Sequence, residues 1–302
     1  MKPRILTAGL AALLALSLGL GAVLDGIARA ADPRGGVFGA ERLGARQDRI
    51  PGPSPTGAHQ GIAFTGELLG GSEDSTGVTS GYGSLTVPLP KHLGLDVEAL
   101  SYHSGDDKFS GAGAHLYWRN PEFGLLGVTA STSTVDIGET DYLPAVTGID
   151  NKTYGIEAEA YLGPVAVALQ TGRIQSDLAL YDRKDFSAFD VHLAATRRWY
   201  WLAGTRRIAD GTTNRVETGY TTSLAGRPMT LYAGGTWDAF DGQYLGAEFA
   251  PWTGANSRWV GFVEFDRGEQ SYDAAFAGIR YEFGPVDNAP MISLFDRVTG
   301  GF

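Results

Sequence analysis

From His59 to Phe283 the chain is written in alternating segments of about ten residues, and this period of two constrains the fold more than any other feature. "AAFAGIRYEF" (274–283) puts Ala275, Ala277, Ile279, Tyr281 and Phe283 on one face and Phe276, Gly278, Arg280 and Glu282 on the other. "LGLDVEALS" sets Leu93, Leu95, Val97 and Ala99 against Asp96 and Glu98. "YGIEAEAYL" sets Tyr154, Ile156, Ala158, Ala160 and Leu162 against Glu157, Glu159 and Tyr161. "FDVHLAA" and "RVETGYTTSL" repeat the pattern, with Asp190 and His192, then Glu217, on the polar side. About 14 such segments can be marked, near 60–70, 79–89, 93–103, 109–119, 123–134, 152–162, 165–175, 186–196, 199–207, 214–224, 229–238, 243–251, 257–266 and 273–283. Dropping the ninth and merging a neighbour leaves 12.

The connections carry a second signal. Those after odd segments ("GGSEDSTG", "STVDIGETDYLPAVTGID", "SDLALYDRKD", "IADGTT") tend to be longer than those after even ones ("PLPKH", "RNPE", "LGP", "LAGRP"), with "PWTGANS" and "DAFDG" as exceptions. Short turns at one end and longer loops at the other suit an up-and-down barrel with periplasmic turns and outer loops.

Alternation alone also fits a soluble exported β-sandwich, so the composition of the two faces decides. Here the polar faces hold carboxylates among Gly, Ala, Ser and Thr, and the apolar faces hold scattered Leu, Val, Ala and Tyr. A barrel with lipid outside and a wet lumen inside reads this way, and closure pairs every backbone group that lipid cannot solvate. Trp118, Trp199, Trp201, Trp237, Trp252 and Trp259 fall near predicted strand ends, where an interfacial girdle belongs. Glycine, at 43 of 302 residues, is about twice its usual ~7% share. Beyond residue 30 no apolar run reaches the ~20 residues of a membrane helix. The expected fold is therefore all-β: a transmembrane antiparallel up-and-down β-barrel of about 14 strands, or 12 on the shorter count.

The flanks differ from this text. Lys2 and Arg4 precede an apolar run from Ile5 to Leu24, followed by Ala28-Arg29-Ala30, which predicts a signal peptide over 1–30; an uncleaved anchor is the alternative. Residues 31–58, rich in Gly, Pro and Arg, read as a flexible N-terminal segment ahead of the barrel at 59–283. Residues 284–302 are expected to form a periplasmic tail. Its Met291, Ile292, Leu294, Phe295 and Val298 are spaced for a short helix that docks on a partner or enters the lumen, although a frayed tail is the plainer expectation. A net charge of -10 argues against nucleic-acid binding, and the absence of cysteine removes disulfides, thiolate metal sites and cysteine nucleophiles.

"GIRYEF" resembles the terminal strand of bacterial outer-membrane β-barrel proteins of the porin-like kind, which end in alternating apolar residues closed by an aromatic. The resemblance implies an outer-membrane location, contact with outer-membrane lipid, and recognition by the barrel-assembly machinery through Ile279, Tyr281 and Phe283. Most members stop at that aromatic, whereas this chain continues with "GPVDNAPMISLFDRVTGGF".

If the polar faces line a lumen, Glu67, Asp96, Glu98, Glu157, Glu159, Asp190, Glu217, Glu248, Glu264, Asp266 and Glu282 share it with Arg119, Arg280, His115 and His192. Such a lumen favours cations over anions. The function expected is passage of small polar solutes or cations. The alternative is a plugged structural or assembly barrel whose loops, with Tyr142 and Leu143, or whose tail binds a periplasmic or envelope partner. Catalysis is not expected. His103 and Ser104 point to opposite faces of one strand, and His115 and His192 lie on strands four and eight. The acidic stretches 70–77 and 104–109 lack the spacing of a calcium loop, and no zinc spacing, P-loop or dinucleotide fingerprint occurs, so neither metal nor cofactor is expected.

Overall fold

The computed structural model describes residues 61–138, 145–177, 183–196, 198–208, 211–238, 241–268, 273–284 and 290–294. The expected signal peptide and N-terminal segment, and Tyr142 and Leu143, lie outside these residues.

Fourteen strands form in chain order: β1 (Ala63–Glu73), β2 (Thr76–Pro88), β3 (Leu93–Ser104), β4 (Asp107–Asn120), β5 (Gly124–Ile137), β6 (Val146–Leu162), β7 (Val165–Ser176), β8 (Lys184–Leu193), β9 (Trp199–Ile208), β10 (Gly211–Leu224), β11 (Arg227–Asp238), β12 (Gly242–Thr253), β13 (Ser257–Gly268) and β14 (Asp273–Phe283). Each pairs antiparallel with its neighbour in sequence, and β14 pairs with β1, so the sheet is a closed barrel. At the seam Phe283 stands opposite Phe64 and Arg280 opposite Glu67. The larger strand count holds, and the ninth segment is a full strand in register with both neighbours.

Closure fixes the meaning of the alternation. Leu68, Leu126, Ile156 and Phe265 are each more than half exposed on the outer surface, while Glu67, Asp96, Glu157 and Glu264 on the opposite faces are buried. An outer wall studded with exposed aliphatic side chains is the surface of a barrel solvated by lipid. Trp118, Trp199, Trp201, Trp252 and Trp259 stand exposed at the end that carries Ala63 and Phe283, here the near end; Trp237 stands at the far end. Around the near rim the outer aromatics touch, with ring centroids 4.8 Å apart for Trp199–Tyr220, 4.9 Å for Trp259–Tyr281 and 6.4 Å for Phe64–Tyr281. Girdles of this kind hold a barrel at the lipid headgroup level.

The loop asymmetry is narrower than expected. β1 and β2 are joined by Asp74 and Ser75 alone, both at positive φ, the geometry of a tight two-residue hairpin turn. The stretch "GGSEDSTG" is thus mostly strand, and 104–109 turns on Gly105 and Asp106. Only the β5–β6 and β7–β8 connections are long. The reason is that polar, glycine-rich strand tips pair as readily as the apolar middle; composition marks where lipid ends, not where the ladder ends. Pro251 is accommodated at an irregularity between Phe249 and Trp252, where the missing N–H breaks no regular ladder bond.

Glycine has a packing role on the inner wall. A Cβ at Gly219, Gly234 or Gly246 would overlap the ring of Tyr200, Tyr244 or Tyr232 respectively. The rings lie over bare backbone on a neighbouring strand, and this accounts for part of the high glycine content.

Two substitutions test these assignments. Gly219→Val forces the Tyr200 ring off its seat and is expected to lower stability by about 1–3 kcal/mol, with part of the loss recovered in Gly219→Val/Tyr200→Ala. Ile156→Arg on the lipid face is expected to cost about 2–4 kcal/mol. Urea unfolding of the barrel in lipid vesicles measures both.

Candidate functional site: the barrel lumen

Every carboxylate expected on the lumen side is buried there: Glu67, Asp96, Glu98, Glu157, Glu159, Asp190, Glu217, Glu248, Glu264, Asp266 and Glu282. Arg119, Arg280 and His115 are buried with them, and His192 is partly buried on the same face of β8. Ile279 and Phe283 face outward and are exposed, with Tyr281 partly exposed beside them.

The register gathers these groups into separate clusters. Beside the seam, Arg280 donates to Glu248 at 3.0 and 3.2 Å, to Glu67 at 3.3 Å and to Glu282 at 2.7 Å, and Arg258 also bonds Glu282. On β8–β10, Asp190 accepts from Arg206 at 2.6 and 2.7 Å and from Arg215 at 3.0 Å. Arg119 reaches Glu159 at 3.1 Å and lies over the rings of Tyr117 and Tyr161. Glu217 carries two tyrosine hydroxyls, Tyr200 at 2.7 Å and Tyr244 at 2.8 Å, and Tyr102 donates to Glu73 at 2.7 Å. His115 lies 2.8 Å from Glu157 through Nδ1, and its Nε2 lies 3.4 Å from Glu98. Asp96, Glu98 and His115 place one potential ligand atom each within 4.8 Å of one another. His115 and His192 are not brought together, since β4 and β8 are not neighbours.

Sequence reasoning missed three parts of this interior. Arg206 and Arg215 are lumen cations; Arg206 stands in step with Tyr200, Leu202 and Gly204 on β9, so the period of two along that strand puts it on the inner face. The far half is also less polar than a wet lumen: Val78, Tyr102, Phe109, Val135, Ile149 and Phe276 belong to one buried apolar cluster, and Ile174, Phe186 and Ile208 to another. The charges concentrate nearer the other end.

The third part is the seating of the tail. Of the outcomes expected for it, entry into the lumen is the one that residues 290–294 show; they are irregular there, and Phe295 and Val298 lie outside the described residues. The Met291 amide donates to Glu159 at 2.6 Å, and the Ser293 hydroxyl and Leu294 amide donate to Glu98 at 2.6 and 3.0 Å. Ile292 packs on Ala168 and Ala188, and Leu294, fully buried, joins the far apolar cluster. A Cβ at Gly113 would overlap the Leu294 side chain, so Gly113 forms the notch that receives it. Wall carboxylates satisfy the backbone of a segment that has no strand to pair with.

Removing Arg280 would leave Glu67, Glu248 and Glu282 buried with much of their compensation gone. Arg280→Leu is expected to destabilise the barrel by about 3–5 kcal/mol, and Arg280→Lys by less, in the same unfolding measurement.

No protein-family model matches the chain, and no curated protein matches it. Among solved structures, it is similar to a CymD monoaromatic hydrocarbon channel at 8% identity and a TM-score of 0.54, over 86% of this chain and 95% of that one. It is also similar to a KdgM porin (10% identity, TM-score 0.43, 72% of this chain and 99% of that one). A third is the Acinetobacter baumannii outer membrane protein Omp33 (13% identity, TM-score 0.44, 74% and 97%). At such identities the first of these likenesses speaks to fold alone. That fold is a closed barrel of fourteen antiparallel strands with an apolar outer wall and an aromatic girdle, the architecture this chain shares with the solved channel.

Proposed function

We propose that the barrel is a channel for small polar solutes, with cations favoured, whose lumen is narrowed by its own C-terminal segment. The observation that carries this reading is the charge of the wall. Among the described residues, twelve buried carboxylates face the lumen against three buried arginines, Arg119, Arg206 and Arg280. Arg215 and Arg258, partly buried, reduce that excess without cancelling it. A low-dielectric wall with surplus negative charge lowers the energy of a cation inside and raises that of an anion. The description of a similar solved barrel as a channel adds support.

The tail supplies the narrowing. Its described residues, 290–294, are held by hydrogen bonds from Met291, Ser293 and Leu294 to wall carboxylates and by apolar contacts of Ile292 and Leu294, while each wall strand is bonded along its length to two neighbours. The tail is thus the part of the interior that can leave without opening the sheet. The same seating supports the second reading, a barrel kept shut for a structural or assembly role. Outside the lumen, Ile279, Tyr281 and Phe283 serve as the assembly signal in either case.

Planar-bilayer conductance under a salt gradient separates the two. The full chain is expected to give small channels with a cation-leaning reversal potential, and the variant lacking 285–302 severalfold larger ones. Glu157→Gln/Glu159→Gln is expected to move the reversal potential toward zero. A folded barrel that is silent with and without the tail overturns the channel and leaves the closed barrel.

A further inference from the structure

We infer that Asp96, Glu98 and His115 form a binding site for a divalent transition-metal cation of the Zn2+ class in the lumen wall. Asp96 and Glu98 lie two apart on β3, so both face inward, and His115 is the direct register partner of Asp96 on β4. Asp96 and His115 are fully buried and Glu98 is 1% exposed.

Each of the three side chains is held by one atom and presents another. Thr86 Oγ1 donates to Asp96 Oδ1 at 2.5 Å, while Asp96 Oδ2 has no hydrogen-bond partner. Ser293 Oγ and the Leu294 amide donate to Glu98 Oε2, leaving Oε1 turned toward the imidazole. His115 Nδ1 is 2.8 Å from Glu157 Oε2, while Nε2 has no hydrogen-bond partner. In the neutral ring a carboxylate on Nδ1 holds the proton there and leaves the lone pair on Nε2, the arrangement that orients metal-bound histidines. Gln170 donates in turn to Glu157 at 3.4 Å.

The spacing suits the ion. Two ligands at 2.0–2.1 Å from a tetrahedral Zn2+ stand about 3.4 Å apart, and His115 Nε2 is 3.4 Å from Glu98 Oε1. One nitrogen and two carboxylate oxygens leave a fourth position for water and suit Zn2+ better than the all-oxygen preference of Ca2+ or Mg2+.

Charge supplies an independent argument. Among the described residues, no arginine or lysine forms an ion pair with Asp96, Glu98 or Glu157. Even a protonated His115 balances only one of three buried carboxylates, and uncompensated buried charge is costly. A divalent cation at the convergence of the unbonded atoms answers both the charge and the geometry. No linear motif announces the site, because its ligands come from two strands joined only by register.

The test uses the full chain folded in detergent and stripped with a chelator. Titration calorimetry with Zn2+ is expected to show one ion per chain. Asp96→Asn and His115→Gln are each expected to weaken binding at least about tenfold, and Glu157→Gln, which touches only the far side of the imidazole, by about tenfold. Absence of saturable uptake, or uptake unchanged in both ligand variants, overturns the site. If the variants do not fold, Co2+ absorption of the wild-type barrel decides. Intense four- or five-coordinate bands support the site, and the spectrum of aquated Co2+ overturns it.

Discussion

The structure depends on the pairing of β1 with β14. In hydrocarbon an unpaired peptide group costs several kcal/mol, so a sheet in lipid must have no edge. Ten register pairs, from Phe64↔Phe283 to Glu73↔Ala274, remove the last two edges. Once closed, each residue faces either lipid or lumen, and the period of two becomes a partition between two solvents. Glu67 and Arg280 stand opposite each other within that seam, so closure also brings together a buried ion pair.

The lumen follows from what closure confines. A barrel of this size is wider than one that side chains fill outright and narrower than one with a broad aqueous pore. This one fills the difference unevenly. Arginines and tyrosine hydroxyls hold many of the carboxylates nearer one end, tyrosine rings pack against glycines, and apolar side chains crowd the other half. The C-terminal segment spans both regions, with Met291 on Glu159 and Leu294 among the apolar residues. Its backbone groups need acceptors, and the wall carboxylates provide them.

Much of this was legible in the sequence because face assignment is local. Parity alone placed Asp96, Glu98, Glu157, Glu159, Glu217 and Arg280 on the lumen side, and the structure places them there. What required three dimensions was which lumen residue meets which. His115 and Glu157 are 42 residues apart and Arg280 and Glu67 are 213 apart, and only strand register and tilt bring them together. Strand tips such as β1–β2 read as loops because their composition is polar, although their backbone pairing continues. The tail resisted reading for the opposite reason. Met291, Ile292 and Leu294 have an apolar spacing that suggests a helix, but their environment consists of wall residues far away in the chain.

The seam also sets the order of events. β1 and β14 are joined by no hairpin, so their encounter closes the longest loop in the fold and is entropically the hardest contact to make. Until it forms, β1 offers an open edge to any strand-like partner. Residues 290–294 follow β14 and lie within the wall that β14 completes, so their seat is finished only when the sheet is a ring. Closure of the ring and completion of the seat for residues 290–294 therefore converge on a single late step.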